Sequence, residues 1–249
     1  MQSKIIFSDF DGTLTLGTDL TSHFFEIIQL LNENDIPLVI VTGRSQAWGH
    51  FLLTHFPLLH VVTEGGGVIS RRKNLESHLI EDQFMTSLKD RNNLEKISQD
   101  LLKKFPKLTL SADSQGRKAD RAIELEVLSE LEIYDEVADF LKKSGANVSR
   151  SNVHLNFWTG KISKYTTTKY LLENDFKQVS LEECLYFGDS LNDESMFEKL
   201  PYTIGVSNIN NVLDQLKHRP HIILDGVENA GPRGVLNYLK KQSKVKSTD

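Results

Sequence analysis

Lys4-Ile5-Ile6-Phe7-Ser8-Asp9-Phe10-Asp11-Gly12-Thr13 is an apolar run that stops abruptly at two aspartates one residue apart, followed by glycine and threonine. Ile5, Ile6 and Phe7 suit a buried strand, and Gly12-Thr13 suit a sharp turn out of it. In an open α/β sheet, ligands bind just beyond the carboxyl ends of the strands. Two carboxylates at such a place repel each other and demand a cation. Mg²⁺ is the natural choice, because it takes carboxylate and carbonyl oxygens. A lone Asp-x-Asp is a weak signal and also fits a capped strand with a solvated turn, so the rest of the chain must decide.

Two later stretches repeat the pattern of a buried strand ending in polar residues. Ile36–Val41 ends at Thr42-Gly43-Arg44, with a helix expected from about Ser45 to His55. A helix start presents unpaired backbone N–H groups to an anion. Taken singly, Thr42 reads equally well as a helix-capping threonine. Leu185-Tyr186-Phe187 ends at Gly188-Asp189-Ser190-Leu191-Asn192-Asp193, which adds further carboxylates. Between these lies Lys164, in the first turn of a helix expected over Ser163–Glu173. Alone it would read as a surface lysine.

The segment from about Gln83 has a different rhythm. A helix or two over 84–105, strands over 108–112 and 122–127, a helix over 131–144 and strands over 147–150 and 153–158 make an α+β pattern unlike the βαβ units on either side. We therefore expect an inserted domain over 83–159, with the α/β core formed by 1–82 and 160–249. On the last strand Val153, Leu155 and Phe157 face one way, and His154, Asn156 and Trp158 the other. The polar face, with Glu124 on the neighbouring strand, either looks toward a site or is merely solvated. Other expectations are a helix over 19–32 capped by Thr18 or Asp19, a helix over 210–217, and close backbone approach at the glycine run Gly65-Gly66-Gly67.

Composition narrows the function. The chain has 249 residues, 39% hydrophobic and 25% charged, with a net charge of −5. That is a globular balance, with nothing to draw it to nucleic acid or an anionic membrane. The first apolar run is too short for a signal peptide, and no stretch approaches a membrane span. The single cysteine, Cys184, rules out an intrachain disulfide and fits a cytoplasmic protein with a buried, inert thiol.

Asp9-Phe-Asp-Gly-Thr13, Val41-Thr-Gly-Arg44, Lys164 and Gly188-Asp-Ser-Leu-Asn-Asp193, in this order and each at the end of an element, resemble the four motifs of the haloacid dehalogenase-like (HAD) phosphohydrolases. The resemblance spans essentially the whole chain. The place and pattern of the insert are similar to the type-two cap of the Cof-like, sucrose-phosphatase and trehalose-phosphatase branches. It implies a Rossmann-like parallel-sheet core with an α+β cap, and a Mg²⁺-dependent phosphatase acting through an aspartyl-phosphate on a small phosphorylated metabolite, a sugar phosphate above all. Asp9 would be the nucleophile and Asp11 the acid and base. Asp9, the Asp11 carbonyl and Asp189 would hold the metal. Thr42, Gly43 and Lys164 would bind phosphate, and Asn192 and Asp193 would orient Lys164 or metal-bound water.

Glu124, His154 and Asn156 are the substrate-binding candidates on the cap, with Trp158 available for stacking. Two departures stand out: glycine at 65 where the family usually has asparagine, and Tyr165 after Lys164 where glycine is common. Lys169 is thus a rival for the lysine role. A phosphomannomutase-like isomerase and a non-catalytic binding protein would use the same scaffold, as a monomer or a homodimer.

Overall fold

The computed structural model describes residues 3–17, 19–151 and 153–246. In chain order the elements are β1 (Ile5–Ser8), α1 (Ser22–Glu33), β2 (Leu38–Val41), α2 (Gln46–His55), β3 (His60–Thr63), β4 (Val68–Arg71) and β5 (Glu81–Phe84). Then come α3 (Leu88–Lys104), β6 (Asp120–Glu124), α4 (Leu125–Glu130), α5 (Tyr134–Lys143), β7 (Asn147–Arg150) and β8 (His154–Trp158). The chain closes with α6 (Lys164–Asn174), β9 (Cys184–Gly188), α7 (Glu194–Lys199), β10 (Thr203–Gly205), β11 (Ile222–Ile223) and α8 (Gly231–Lys246).

The larger sheet has the order β11-β10-β9-β1-β2-β3-β4-β5. β11 through β3 run parallel, and β4 and β5 are added antiparallel. The inner strands are apolar throughout because both faces are covered. Ile6, Ile40, Leu185 and Phe187 pack on one side against Phe24, Ile27 and Leu236. Ile5, Phe7, Val41 and Tyr186 pack on the other against Leu171, Met196 and Phe197. β1 lies between β2 and β9, where the winding reverses. The crevice at its carboxyl end is therefore the place such a sheet offers a ligand.

The smaller sheet, β6-β8-β7, is antiparallel. Ile123, Leu155 and Phe157 form its apolar face with Leu94 and Leu101 of α3 and Val137 and Leu141 of α5. His154 and Asn156 on the opposite face are also buried, against the larger domain. This polar face is an interface, not a solvated surface.

Several expected elements differ. Residues 108–112 form no strand; Ser111 N–H donates once to the Ala122 carbonyl, and the chain then curls into a short turn over Ser114–Gly116. The strand expected over 122–127 ends at Glu124, because Leu125 and Leu128 also satisfy a helical spacing and Leu128 is wholly buried that way. In place of the helix expected over 210–217, the chain forms 3-10 stretches over Ser207–Asn211 and Leu213–Gln215. β5 has no alternating apolar pattern and forms by pairing with β4. The first helix begins after Thr21, not Asp19, and Thr18 lies outside the described residues.

Candidate active site

Three chain ends converge beyond β1. Asp9 follows β1 directly and is buried, and Gly12 (φ 82°) turns the chain back so that the N–H groups of Leu14 and Thr15 reach the Phe10 carbonyl. Asp189 follows β9. Gly188 is required there, since a Cβ would sit 2.6 Å from Asp193 Oδ2. Its absence lets the Asp193 carboxylate fold back onto the N–H groups of Asp189 (2.9 Å) and Ser190 (3.0 Å). Lys164 opens α6 behind the Ser163 cap, and its Nζ donates to both Asp9 Oδ1 and Asp193 Oδ1, each at 2.6 Å. Lys169, the rival, pairs with Glu173 on the surface at 3.6 Å.

Carboxylate oxygens of Asp9, Asp189 and Asp193 lie within 4.8 Å of one another. Lys164 sets its one positive charge between two of these three carboxylates. Burial holds the Asp9 carboxyl well above the usual carboxylate range, against the pull of Lys164 and with Asp193 and Asp189 adding to the rise. Such a set of hard oxygens suits a divalent cation. Asp193 already accepts from Lys164, from the Tyr186 hydroxyl and from two backbone N–H groups. Asp189 is aimed by Thr13 Oγ1 (2.7 Å) and Asn208 Nδ2 (2.6 Å). Thr13, Tyr186 and Asn208 were not anticipated as site residues. Thr13 closes the first motif and Tyr186 stands just before the last, but nothing in sequence marks Asn208.

The Asp11 carboxylate is not part of this cluster. It is gripped by Arg44, with Nε 2.8 Å from Oδ2 and Nη2 2.6 Å from Oδ1, and the guanidinium lies 4.7 Å over the Trp48 ring. Thr42 is buried at the end of β2, and its Oγ1 accepts the Arg44 N–H at 3.1 Å. Asn192 accepts from Ser190 Oγ. Its amide nitrogen and Asn156 Oδ1 come to 3.9 and 3.8 Å of where a Gly43 Cβ would be, so core and cap meet at this turn. His154 pairs with Glu124 at 3.0 Å.

Ser151, Val153 and His154 sit over Asp9, Asp11 and Arg44, leaving a cavity of about 10 Å³. Beside it opens a cleft of about 490 Å³ lined by Asn156, Trp158, Arg150, Lys164 and Asn192. Glu124 lines neither. Gly65 borders the cleft with nothing within 4 Å of its missing side chain. Gly66 (φ 109°) lets the backbone approach Ser163, whose carbonyl would be 2.3 Å from a Cβ.

The chain is 24% identical over 217 residues to the phosphoglycolate phosphatase of Methanobrevibacter smithii, covering 86% of this chain and 89% of that one. Its fold matches that of the sucrose-phosphatase of Synechocystis, solved in complex with sucrose and phosphate, with a TM-score of 0.72 at 17% identity over 97% and 98% of the two chains. A HAD/COF-like hydrolase from Plasmodium vivax gives a TM-score of 0.74 at 18% identity over 100% and 97%. The expected HAD fold is therefore present. Residues 2–240 match the family model of sucrose-6F-phosphate phosphohydrolase, and the chain belongs to that family of HAD-superfamily phosphatases, which are phosphoric monoester hydrolases.

Proposed function

We propose that this phosphatase hydrolyses a small sugar phosphate through an aspartyl-phosphate on Asp9, with Mg²⁺ as its cofactor. The observation that carries the reading is Lys164 bridging Asp9 and Asp193 at 2.6 Å each, inside the cluster completed by Asp189. Asp9 and Asp189, with the backbone carbonyl of Asp11, would hold the metal. When bound, Mg²⁺ would supply the positive charge that a transferring phosphoryl group needs.

An oxygen of Asp9 attacks phosphorus while the bond to the substrate oxygen breaks, and Asp11 gives that oxygen its proton. Water then attacks phosphorus, its proton passes to Asp11, and the bond from phosphorus to Asp9 breaks. Lys164 keeps Asp9 aimed and offsets charge on the phosphoryl oxygens. Thr42 Oγ1, which accepts from Arg44 N–H, keeps its own proton for a phosphoryl oxygen. Arg44 holds both oxygens of the Asp11 carboxylate, so the fork must open before Asp11 can hand a proton to the leaving oxygen.

The cavity above Asp9 holds no more than about one water, so the segment carrying Ser151, Val153 and His154 lifts to admit substrate. The body of the substrate then occupies the 490 Å³ cleft, where Asn156 and Arg150 offer hydrogen bonds and Trp158 a flat face. This division supports placing the cap between the end of β5 at Phe84 and about residue 160. Of the cap candidates Glu124, His154 and Asn156, His154 and Asn156 would contact substrate and Glu124 would act by holding His154.

The test is phosphate release from sucrose 6F-phosphate, trehalose 6-phosphate, glucose 6-phosphate and phosphoglycolate, with Mg²⁺ and after chelation. Sugar phosphates should dominate, and chelation should stop turnover. A clear preference for phosphoglycolate would overturn the substrate class. Asp9→Asn should lower turnover by at least about 10³-fold, and full activity in that variant would overturn the nucleophile.

A further inference from the structure

Beyond the motif residues, the phosphate-binding turn is tied by three successive backbone carbonyls. Thr42 O accepts Gly65 N–H at 3.0 Å, and Arg44 O accepts Glu64 N–H at 2.8 Å. Both ties come from the core. The middle one does not: Gly43 O accepts from Arg117 Nη1 at 3.0 Å, and Arg117 belongs to the segment between α3 and β6 of the cap.

A trans peptide points its N–H opposite to its carbonyl. Tying Gly43 O therefore aims the Arg44 N–H, which donates to Thr42 Oγ1 at 3.1 Å. That bond occupies a lone pair of the hydroxyl and leaves its proton for an incoming oxygen. A cap side chain thus reaches the hydroxyl through one peptide plane.

Arg117 is built to do this. Its side chain is wholly buried and is held by Asp113 (Nε to Oδ1, 2.9 Å) and Asp120 (Nη1 to Oδ1, 2.8 Å). The next residues are clamped to the core. Glu64 Oε2 accepts the N–H groups of Lys118 (2.8 Å), Ala119 (2.6 Å) and Asp120 (3.2 Å), while its Oε1 accepts Gln46 N–H at 3.2 Å. Glu64 has a left-handed backbone (φ 53°), an uncommon conformation for a residue other than glycine. Gly67 completes the seam, since a Cβ there would lie 2.3 Å from that of Ala119.

We infer that Arg117 is a positioning residue for phosphate binding, completing the Thr42-Gly43 turn only when the cap is seated, and that Glu64 and Gly67 form the seat. The inference rests on Thr42 and Gly43 as the phosphate-binding pair of the proposed reaction. The cap would then report its closure to the phosphate subsite by a direct hydrogen bond.

Inorganic phosphate as inhibitor, and p-nitrophenyl phosphate as substrate, probe the turn without depending on the sugar. Arg117→Ala would strand two buried carboxylates, so the informative variants are Arg117→Lys and Gly67→Ala, with Thr42→Ala as reference and thermal melting alongside. Arg117→Lys keeps the charge but cannot reach both aspartates and the carbonyl. Gly67→Ala leaves every polar group intact and wedges the cap off its seat. Both should weaken phosphate inhibition by roughly tenfold and raise KM in step, at melting temperatures that stay above the assay temperature. If Thr42→Ala weakens phosphate binding but both other variants bind it as wild type does, the inference fails and the phosphate-binding pair stands. If Thr42→Ala itself binds phosphate normally, the pair is wrong and the inference falls with it.

Discussion

Two buried clusters in this protein each set one cation against three carboxylates, and they behave in opposite ways. In the first, Lys164 faces Asp9, Asp189 and Asp193. In the second, Arg117 faces Asp113 and Asp120, with Glu64 beside them. The Arg117 fork and four backbone N–H groups on Glu64 satisfy the second cluster from within the chain. Within it burial raises Glu64 to about 7, whereas at Asp113 burial is overcome by hydrogen bonds and charge from Arg117, which bring the carboxyl to about 2. Lys164 offers a point charge to the first cluster, and Asp9 stays raised by burial. The difference teaches that a count of charges does not make a site. The cluster proposed to react is the one whose oxygens are gathered where an ion could join them.

The comparison breaks most readily at Lys164. Lys164→Met removes the cation that bridges Asp9 and Asp193, and breaking a buried pair costs about 3–5 kcal/mol. Turnover should fall below detection, and melting in the absence of Mg²⁺ should come far lower than for wild type. An unchanged melting temperature would show that the cluster is not strained.

A smaller effect separates the clusters by their need for an ion. Mg²⁺ at a hundredfold above its dissociation constant should stabilise the wild type by about 2.7 kcal/mol. Asp189→Asn should abolish that rise, whereas Asp113→Asn should keep it while lowering the baseline. Thermal melting across a Mg²⁺ titration checks both, and loss of the rise in Asp113→Asn would mean that the second cluster also binds metal.

The second cluster can also be probed by a pH dependence at the seam. Burial raises Glu64 from 4.5 to about 7, with Asp120 adding to the rise and N–H groups from Ala119 and Lys118, with Arg117, opposing it. A folded-state pKa above the unfolded one means that the folded protein holds a proton the unfolded chain has released. This contribution to stability is full below about pH 4.5 and is lost as pH rises through about 7. Glu64→Gln should flatten the melting temperature across that window. An identical slope in wild type and variant would remove Glu64 as its source.

How much of this was legible beforehand depends on the range of the interactions. β1, β2 and β9 announced themselves because burial on both faces writes a local apolar run, and each run ends where the sheet ends. The acids after β1 and β9 could be read for the same reason. β5 could not be read, since Glu81, Asp82 and Gln83 carry no strand pattern and are held by β4. Leu125 and Val127 misled because a short apolar alternation also fits one turn of helix. Arg117 and Glu64 carried no signal: their partners lie 74 residues away at Gly43 and 54 away at Lys118.

By itself, then, the sequence determined a parallel α/β sheet with acids, a hydroxyl and a lysine at its strand and helix ends, because periodicity and turn chemistry act over a few residues. Only the tertiary structure decided what each charge meets: Asp193 and not Asp11 beside Asp9, Asp11 on Arg44, and a cap arginine on the carbonyl of Gly43. Those partnerships depend on how separately formed elements dock. Docking is set by burial over the whole chain, which no local pattern records.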